Sequence, residues 1–450
     1  MHNRVILCGD LLDFTDDPAV VGEHAVRYQA QGALVIIDGL IVARGPEAEM
    51  LSQYPSGFTL QRHTGQLIIP GLIDCHVHFA QTEMIAAYGE QLLTWLTEHA
   101  FPAEEKFADP AHASAIAKIF TTELLNNGTT TALVFGTVHP QSVEALFEVA
   151  EAKNMRLIAG KVMMDRNCPP ALQDTAESSY HQSKALIDKW HGRGRLAYAL
   201  TPRFAPTSTP EQLAACRDLM AEYPDVYMQT HVSENLQECE WVKELFPESA
   251  DYVGVYEDAG LLRKRSVLAH GIHLNERELT AIHDHDTAIA HCPTSNLFIG
   301  SGLFNLKAVR EHKITVGMGT DVGGGSSFSL LQTYNEAYKV QQLLGNKLSA
   351  FEGLYLSTLG GARALDLEGT IGQLEVGVEA DIVVLDWAAT PFLEFRLAQS
   401  HSLHDKLFAL MMLGDDRSIA ATYLMGERVS KDPAGTWVPP VTDPIAGPST

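Results

Sequence analysis

The chain has 450 residues and 46% hydrophobic content, enough to bury a large core and to exceed one ordinary domain. Its formal net charge of −24 argues against nucleic acid or an anionic membrane as a partner, because phosphate-rich surfaces are met by clusters of Lys and Arg. Its six cysteines form no CxxC pair, and no apolar run reaches the roughly 18 residues of a membrane-spanning helix. These features predict a cytoplasmic protein with reduced thiols, built from one large domain and a smaller companion.

A predicted β segment, GALVIIDGLIVARG, lies near the start of the chain and is followed by eight apolar runs rich in β-branched residues. Amphipathic segments with helical periodicity separate these runs, as in HASAIAKIFTTELLNNG and QSVEALFEVAEAKN. The runs are QLIIPGLIDCHVH, TTTALVFG, RLIAGKVMMD, RLAYALTPR, VYMQTHVSE, SVLAHG, TAIAHCPT and ITVGMGTDVG. Strands that alternate with helices predict an α/β fold, a closed (β/α)8 TIM-type barrel over residues 70–372.

Two segments near the end of the chain, ADIVVLDW and ATYLMGERVS, have the composition of short strands. We expect them to join the amino-terminal strands in one small β-sandwich-like domain, residues 1–69 and 373–435. Residues 436–450 are rich in Pro and polar side chains, which predicts an irregular tail. The barrel is then the catalytic domain, and its reactive groups are expected at the carboxyl ends of its strands.

The first apolar run ends with two histidines, His76 and His78. Residues two apart on a strand point to the same face, so both imidazoles can converge on one ion, while Cys75 and Val77 pack on the other face. Neutral imidazoles at this spacing suit zinc or iron. The pair alone is weak evidence, because paired histidines also occur as ordinary surface or buried residues.

Further metal-binding residue types lie at the ends of three later runs. The fifth run ends THVSE, which contains His231 and Glu234. The sixth run ends with His270, and the eighth run leads into Asp321. Three of these histidines and the aspartate, around one barrel mouth, can form a metal shell that leaves a position for water.

This set of HxH, HxxE, H and D, at the first, fifth, sixth and eighth strands, resembles the amidohydrolase superfamily in its mononuclear deaminase branch. The resemblance extends over nearly the whole chain. Within the superfamily the chain is similar to the guanine deaminases in the stretches HFAQT, LLTWLTEHAFPAEEKFAD, TPRFAPT, HVSEN, HCPTSNLFIGSGLF and GMGTDVGGG. The resemblance implies a homodimer that deaminates guanine to xanthine and ammonia in purine catabolism or salvage.

The resemblance also implies the metal ligands and the proton carriers. One divalent ion, zinc in preference to iron, would be held by His76, His78, His231 and Asp321. Asp321 would accept a proton from water, and Glu234 would carry protons to the ring nitrogen beside C2 and to the departing amino group. His270 would hydrogen-bond the attacking hydroxide and stabilise the tetrahedral adduct.

Four other residues are candidates for contacts with the purine. Arg203 has a planar fork that matches the O6 and N7 acceptors of guanine. Gln81 can both donate and accept, which suits adjacent ring positions with N–H and bare nitrogen. Phe204 and Trp95 are candidates to stack on the purine face.

Several of these assignments have structural alternatives. Ser233 or Glu234 could merely cap a helix, and Arg203 could pair with an acidic neighbour without meeting substrate. Trp95 could pack under a loop. Lys161 leaves a second metal ion as an alternative, because binuclear members of the superfamily bridge two metals with a carbamylated lysine near strand four.

Three other histidines are not expected to bind the metal. His283 and His285 form a second HxH pair, but they close a helical pattern, in which residues two apart do not share a face. We expect this pair to be solvated. His291 is expected to have a structural role, because the metal shell needs no further ligand.

Two other functions fit the same residues. A related hydrolase could act on another heterocycle, such as cytosine, a triazine or a hydantoin. Comparing ammonia release from guanine with release from those compounds would distinguish the two functions. A non-enzymatic assembly protein on the same barrel is the second alternative. A metal-free preparation that is inert toward all ring amines would favour it.

Overall fold

The computed structural model describes residues 3–89 and 91–429. The predicted tail at 436–450 lies outside the described residues. In chain order, the described strands are β1 (Arg4–Phe14), β2 (Val26–Ile37), β3 (Leu40–Pro46), β4 (Thr59–Pro70), β5 (Leu72–His78), β6 (Thr129–Phe135), β7 (Arg156–Gly160), β8 (Val162–Met163), β9 (Leu196–Pro202), β10 (Tyr227–Val232), β11 (Ser266–His270), β12 (Ala288–His291), β13 (Val316–Met318), β14 (Ile382–Leu385), β15 (Ile419–Leu424) and β16 (Glu427–Val429).

The described α-helices lie mainly between the barrel strands and after them. They are α1 (Pro18–Val21), α2 (Glu47–Gln53), α3 (Leu92–Trp95), α4 (Phe101–Glu105), α5 (Pro110–Asn126), α6 (Pro140–Ala152), α7 (Ala176–Trp190), α8 (Pro210–Glu222), α9 (Leu236–Leu245), α10 (Tyr252–Asp258), α11 (Glu276–Asp284), α12 (Pro293–Phe298), α13 (Leu306–Glu311), α14 (Leu330–Leu343), α15 (Ala350–Leu356), α16 (Leu359–Ala364), α17 (Pro391–Leu397) and α18 (Leu403–Leu413). Among residues 3–89 and 91–429, no helix combines the length and apolar character that crossing a membrane requires.

The predicted barrel is confirmed. Parallel strands follow the order β5-β6-β7-β9-β10-β11-β12-β13, and β8 pairs with β9. Two hydrogen bonds close the ring, because Asp321 N donates to His76 O and His78 N donates to Val322 O, each at 2.9 Å. The residues that follow β13 are thereby fixed beside the end of β5.

Two of the predicted strands are divided in the structure. The run QLIIPGLIDCHVH contributes its first half to β4 and its second half to β5, and the two halves belong to different sheets. Gly71 lies at the junction, where a Cβ would come within 2.0 Å of Thr130 Oγ1. The run RLIAGKVMMD is likewise divided, at Lys161, into β7 and β8.

A second sheet is built from both ends of the described chain, as predicted. Its order is β16-β15-β14-β4-β1-β2-β3, with β14 antiparallel to β4 and β1 parallel to it. Alternate residues of β1 pack in different apolar clusters, Leu7 in one and Ile6 with Met50 of α2 in the other. The expectation of short strands at residues 380–387 and 421–430 omitted α17 and α18, which lie between them in the chain.

The barrel interior is filled by one apolar cluster to which seven barrel strands contribute, among them Ile73 and Cys75 of β5 and Tyr227 of β10. A register shift between Asp74 and Val77 interrupts the alternation of β5. Cys75 therefore packs inside the barrel and Val77 packs in the outer cluster, so the prediction that they share one face is wrong. All six cysteines are free, as expected for reduced thiols.

Candidate active site

Three imidazoles converge at the carboxyl ends of the barrel strands. The ring centroids of His76 and His78 lie 5.1 Å apart, and those of His76 and His231 lie 4.8 Å apart. The Nε2 atoms of His78 and His231 are 3.2 Å apart. The register shift in β5 has not separated the two histidines of the HxH pair. The ends of β5 and β10 thus bring together imidazoles from positions far apart in the sequence.

The Asp321 carboxylate completes this group. Its Oδ1 lies 3.2 Å from His76 Nε2 and 3.5 Å from His78 Nε2. The ligands of a tetrahedral zinc ion lie about 3.3 Å apart when each metal-ligand distance is about 2.0–2.1 Å. Ligand atoms of His76, His231, His270 and Asp321 lie within 4.8 Å of one another, a set that contains His270 in place of His78. The spacing therefore fits a single metal ion.

The protonation of the three histidines fits the same conclusion. Burial holds the pKa of His76, His78 and His231 well below its ordinary value, so their rings are neutral and carry a lone pair. His231 Nδ1 lies 2.6 Å from the carbonyl oxygen of Arg203, which can only accept, so Nδ1 carries the proton and Nε2 the lone pair. His76 Nε2 is buried without a hydrogen-bond partner among the described residues. A cation would satisfy these nitrogens.

The side chains of His76, His78, His231 and Asp321, called the metal group below, are enclosed by residues that were not predicted from the sequence. Phe135, at the end of β6, lies 4.5 Å from the His78 ring and 4.7 Å from the His231 ring, centroid to centroid. Its ring excludes water from the imidazoles and contributes to their low pKa. Asp74 is fully buried and accepts hydrogen bonds from Thr320 N at 3.0 Å and His76 N at 3.2 Å. Asp74 thus ties the end of β5 to the segment before Asp321.

Glu234 and His270 lie beside the metal group. Glu234 Oε2 is 3.3 Å from His270 Nε2, and His270 Nε2 is 3.7 Å from Asp321 Oδ2. His270 Nδ1 is 2.8 Å from Asn296 Oδ1, which can only accept and so fixes the proton on Nδ1. Burial, reinforced by the nearby Asp321 charge, raises the pKa of Glu234 to about 8. In the absence of a bound cation, Glu234 therefore holds a proton at neutral pH.

The helix that follows Glu234 is capped by other residues. Asn235 accepts a hydrogen bond from Gln237 N, and the Glu238 carboxylate accepts from the backbone N–H groups of Glu234 and Asn235 at 3.0 and 2.9 Å. This capping box occupies Asn235 and Glu238. The alternative in which Ser233 or Glu234 caps the helix therefore does not hold, and the Glu234 carboxyl is left to face the pocket.

The four residues predicted to contact the purine line the same pocket as the metal group. Its walls are formed by His78, Gln81, Leu92, Trp95, Leu96, Arg203, Phe204, His231, Glu234, His270, Ile299, Asp321 and Gly324. Trp95 and Phe204 belong to one apolar cluster beside the imidazoles. Trp95 Nε1 is buried and has no hydrogen-bond partner among the described residues. The structure thus brings the metal group and an aromatic, partly polar wall into one cavity.

Arg203 both lines the pocket and forms an ion pair. Its Nη1 donates to both carboxylate oxygens of Glu104, at 2.9 and 2.7 Å. The pairing offered as an alternative to substrate contact is therefore present, although Arg203 Nε and Nη2 make no hydrogen bond to another described residue. Glu104 was not among the predicted site residues. Its only signal in the sequence was its position within LLTWLTEHAFPAEEKFAD, one of the stretches that resemble the guanine deaminases.

The other candidate ligands lie away from this group. Lys161 is fully buried and pairs with Asp174, while its Nζ donates to Val162 O at 3.2 Å. It is not part of the metal group of the described chain. His283 and His285 are exposed, as expected. His291 is buried and stacks on Phe304 with ring centroids 4.4 Å apart.

Comparison with known proteins gives concordant matches. The family model described as "Amidohydrolase family" matches residues 67–429. The guanine deaminase of Escherichia coli (strain K12) is 52% identical over 431 residues, which cover 95% of this chain and 98% of that protein. A solved structure of E. coli guanine deaminase has a TM-score of 0.93 at 52% identity, covering 95% of this chain and 99% of that one. A guanine deaminase structure from C. acetobutylicum with guanine bound in its active site has a TM-score of 0.86 at 28% identity, covering 95% and 100%.

Proposed function

The chain belongs to the amidohydrolase family, and from that premise we infer that it hydrolyses guanine to xanthine and ammonia. One observation supports this above the others. A single pocket is lined by the imidazole and carboxylate group and also by an arginine whose Nε and Nη2 are free to bind an oxo group and a ring nitrogen. Water and the amidine group of a purine can therefore meet in one pocket.

We propose one divalent metal ion per subunit, zinc in preference to iron. The residues that would hold it are His76, His78, His231 and Asp321. The support is the neutral state of the imidazoles, the unpartnered His76 Nε2 and the roughly tetrahedral spacing of nitrogen and oxygen atoms. When bound, such an ion lowers the pKa of water from about 15.7 to near neutrality and so makes a nucleophile available.

Asp321 and Glu234 would then transfer the protons, and His270 would orient the reacting oxygen. Asp321 takes a proton from the attacking water as the C2–O bond forms. Glu234 gives its proton to the ring nitrogen beside C2, then takes the proton of the new C2 hydroxyl and passes it to the exocyclic amino group as the C2–N bond breaks and ammonia leaves. The proton held by Asp321 then returns to Glu234. His270 lies within 3.3 Å of Glu234 Oε2 and is positioned to orient the reacting oxygen. Guanine and one water become xanthine and one ammonia, so the atoms balance.

Recognition of guanine is assigned to the other side of the pocket. The Nε and Nη2 edge of Arg203 presents parallel N–H groups that match the O6 and N7 acceptors of guanine. Gln81 lies beside it and offers its remaining amide hydrogen and lone pair to the ring edge. Phe204 and Trp95 provide the apolar faces against which the purine packs.

We also propose that the protein is a homodimer in the cytoplasm and acts in purine metabolism. The free state of all six cysteines supports a reducing compartment. The net charge of −24 supports a small-molecule substrate and no nucleic acid or membrane partner. The dimer is proposed from the family resemblance, and a sedimentation measurement would test it.

The decisive test is a steady-state comparison of guanine, cytosine, adenine and ammeline, monitored by ammonia release and paired with metal analysis of the same preparation. We expect guanine to be preferred, with xanthine as product and close to one metal ion per chain. Preference for another ring amine would replace guanine as the substrate. A metal-free preparation inert toward all four would overturn the proposal.

A further inference from the structure

The short helix α4 places two side chains against Arg203. Phe101 and Glu104 are three residues apart, so they lie on one face of the helix. The Arg203 guanidinium carbon lies 5.3 Å from the centroid of the Phe101 ring. Glu104 is fully buried, and its carboxylate accepts both hydrogen bonds from Arg203 Nη1. The guanidinium is therefore fixed by a ring on one side and a carboxylate at one end.

Glu104 also holds the second polar residue of the pocket. Gln81 Nε2 donates to Glu104 Oε1 at 3.1 Å, and Gln81 Oε1 accepts from Gly323 N at 3.1 Å. Both ends of the Gln81 amide are thereby engaged, which determines which end is nitrogen and which is oxygen. The contacts run without interruption from Arg203 through Glu104 and Gln81 to the segment that carries Asp321.

We propose that Glu104 is a positioning residue for purine recognition, which sets the orientation of Arg203 and Gln81 as one unit. It takes up Arg203 Nη1 and leaves the Nε and Nη2 edge to the substrate. The inference rests on the proposed guanine deamination, because Arg203 and Gln81 are proposed to bind the O6 oxygen of guanine and the ring atoms near it. Glu104 itself acts through Arg203 and Gln81 and need not touch the ring.

A purely structural role is the competing explanation, and the contacts distinguish the two. A buried ion pair adds little net stability compared with apolar residues of similar size, so stability alone is a poor reason for this pair. The carboxylate contacts two pocket-lining side chains from different strand ends. A structural role would affect every substrate alike, whereas a positioning role affects those that present an oxygen to Arg203.

The test compares guanine with 2-aminopurine, which keeps the amino group at C2 but lacks the O6 oxygen. For Glu104→Gln in the metal-loaded enzyme we expect the guanine KM to rise by about 10- to 100-fold, the loss typical of a charge-assisted hydrogen bond. We expect kcat for guanine and kcat/KM for 2-aminopurine to change by less than about 3-fold. Glu105→Gln, at the exposed neighbouring position, is the matched control and should leave the preference for guanine unchanged.

The preference for guanine is the ratio of kcat/KM for guanine to kcat/KM for 2-aminopurine. Both values are measured in one preparation, so the ratio does not depend on the folded fraction of the enzyme. If Glu104→Gln yields no soluble enzyme, Glu104→Asp carries the same measurement, because it keeps the charge but shortens its reach, and an intermediate loss of preference is expected. An active wild type whose variant keeps its guanine preference, or loses activity on both compounds equally, would overturn the inference alone. A wild type inactive on guanine would overturn the proposed function and this inference with it.

Discussion

His231 donates two hydrogen bonds to the carbonyl oxygen of Arg203, from its backbone N–H at 3.1 Å and from Nδ1 at 2.6 Å. One of these bonds fixes the ring tautomer, so that Nε2 faces the other imidazoles. The guanidinium of Arg203 is the group proposed to bind the O6 and N7 atoms of guanine. The metal-binding side and the purine-binding side of the pocket therefore share a backbone atom, and a displacement of one is transmitted to the other.

Replacement of His231 by Ala removes a nitrogen from the proposed metal group. Loss of an outer partner of a metal ligand costs about 10- to 100-fold in affinity or activity, so loss of a ligand should lower kcat/KM by at least about 100-fold. The bound metal should fall well below one ion per chain. Elemental analysis together with guanine turnover measures both, and His283→Ala, an exposed position on α11, is the control. A variant that keeps both its metal and its activity would exclude His231 as a ligand.

Replacement of Glu234 by Gln removes the proton donor with little change in shape. We expect kcat to fall by about 10²- to 10⁴-fold, the usual contribution of a general acid or base. Glu240→Gln, an exposed position on α9, should have no effect. Stopped assays of xanthine formation would measure the change, and retention of the wild-type kcat would remove Glu234 from the mechanism.

The wild-type pH profile should contain an alkaline limb from the same residue. Burial raises the pKa of Glu234 to about 8, and the charge of a nearby cation would lower it from that value. Because the protonated form is the donor, kcat should fall as pH rises through this pKa, at or below about pH 8. A rate that keeps rising between pH 8 and 9 would argue against a protonated Glu234.

Replacement of Arg203 by Lys keeps the charge but removes the planar fork. A good bidentate pair is worth about 1–3 kcal/mol of discrimination, so the guanine KM should rise by roughly 5- to 150-fold. The value of kcat should change less. Arg217→Lys, at an exposed position on α8, controls for the loss of a guanidinium. Unchanged KM would mean that Arg203 serves only its ion pair with Glu104.

The stability of the metal-free protein should depend on pH through its buried imidazoles. The pKa of His78 is lower in the folded chain than its ordinary value of 6.5, chiefly because of burial. The unfolded state then binds more protons at acid pH, so this residue's contribution to stability is lost as pH falls below about 6.5. Metal-free His78→Asn should therefore lose less thermal stability than metal-free wild type between pH 7.5 and 5.5. Equal losses in calorimetry would contradict the neutral state of His78.

The barrel and the residue types of the site were predictable because strand alternation and carboxyl-terminal placement are local rules. His76, His231 and Asp321 each follow a recognisable apolar run. The positioning of Arg203 by Glu104 was not predictable, because it joins residues 99 apart in the sequence through a short helix with no periodic signal. The division of the first run at Gly71 was also hidden, because both halves have the same strand composition.

The most direct test is anomalous diffraction above and below the zinc edge from crystals of the active protein. One peak is expected within about 2.0–2.2 Å of Nε2 of His76, His78 and His231 and of an oxygen of Asp321. A single peak at other residues, in crystals of protein that still deaminates guanine, would contradict this expectation.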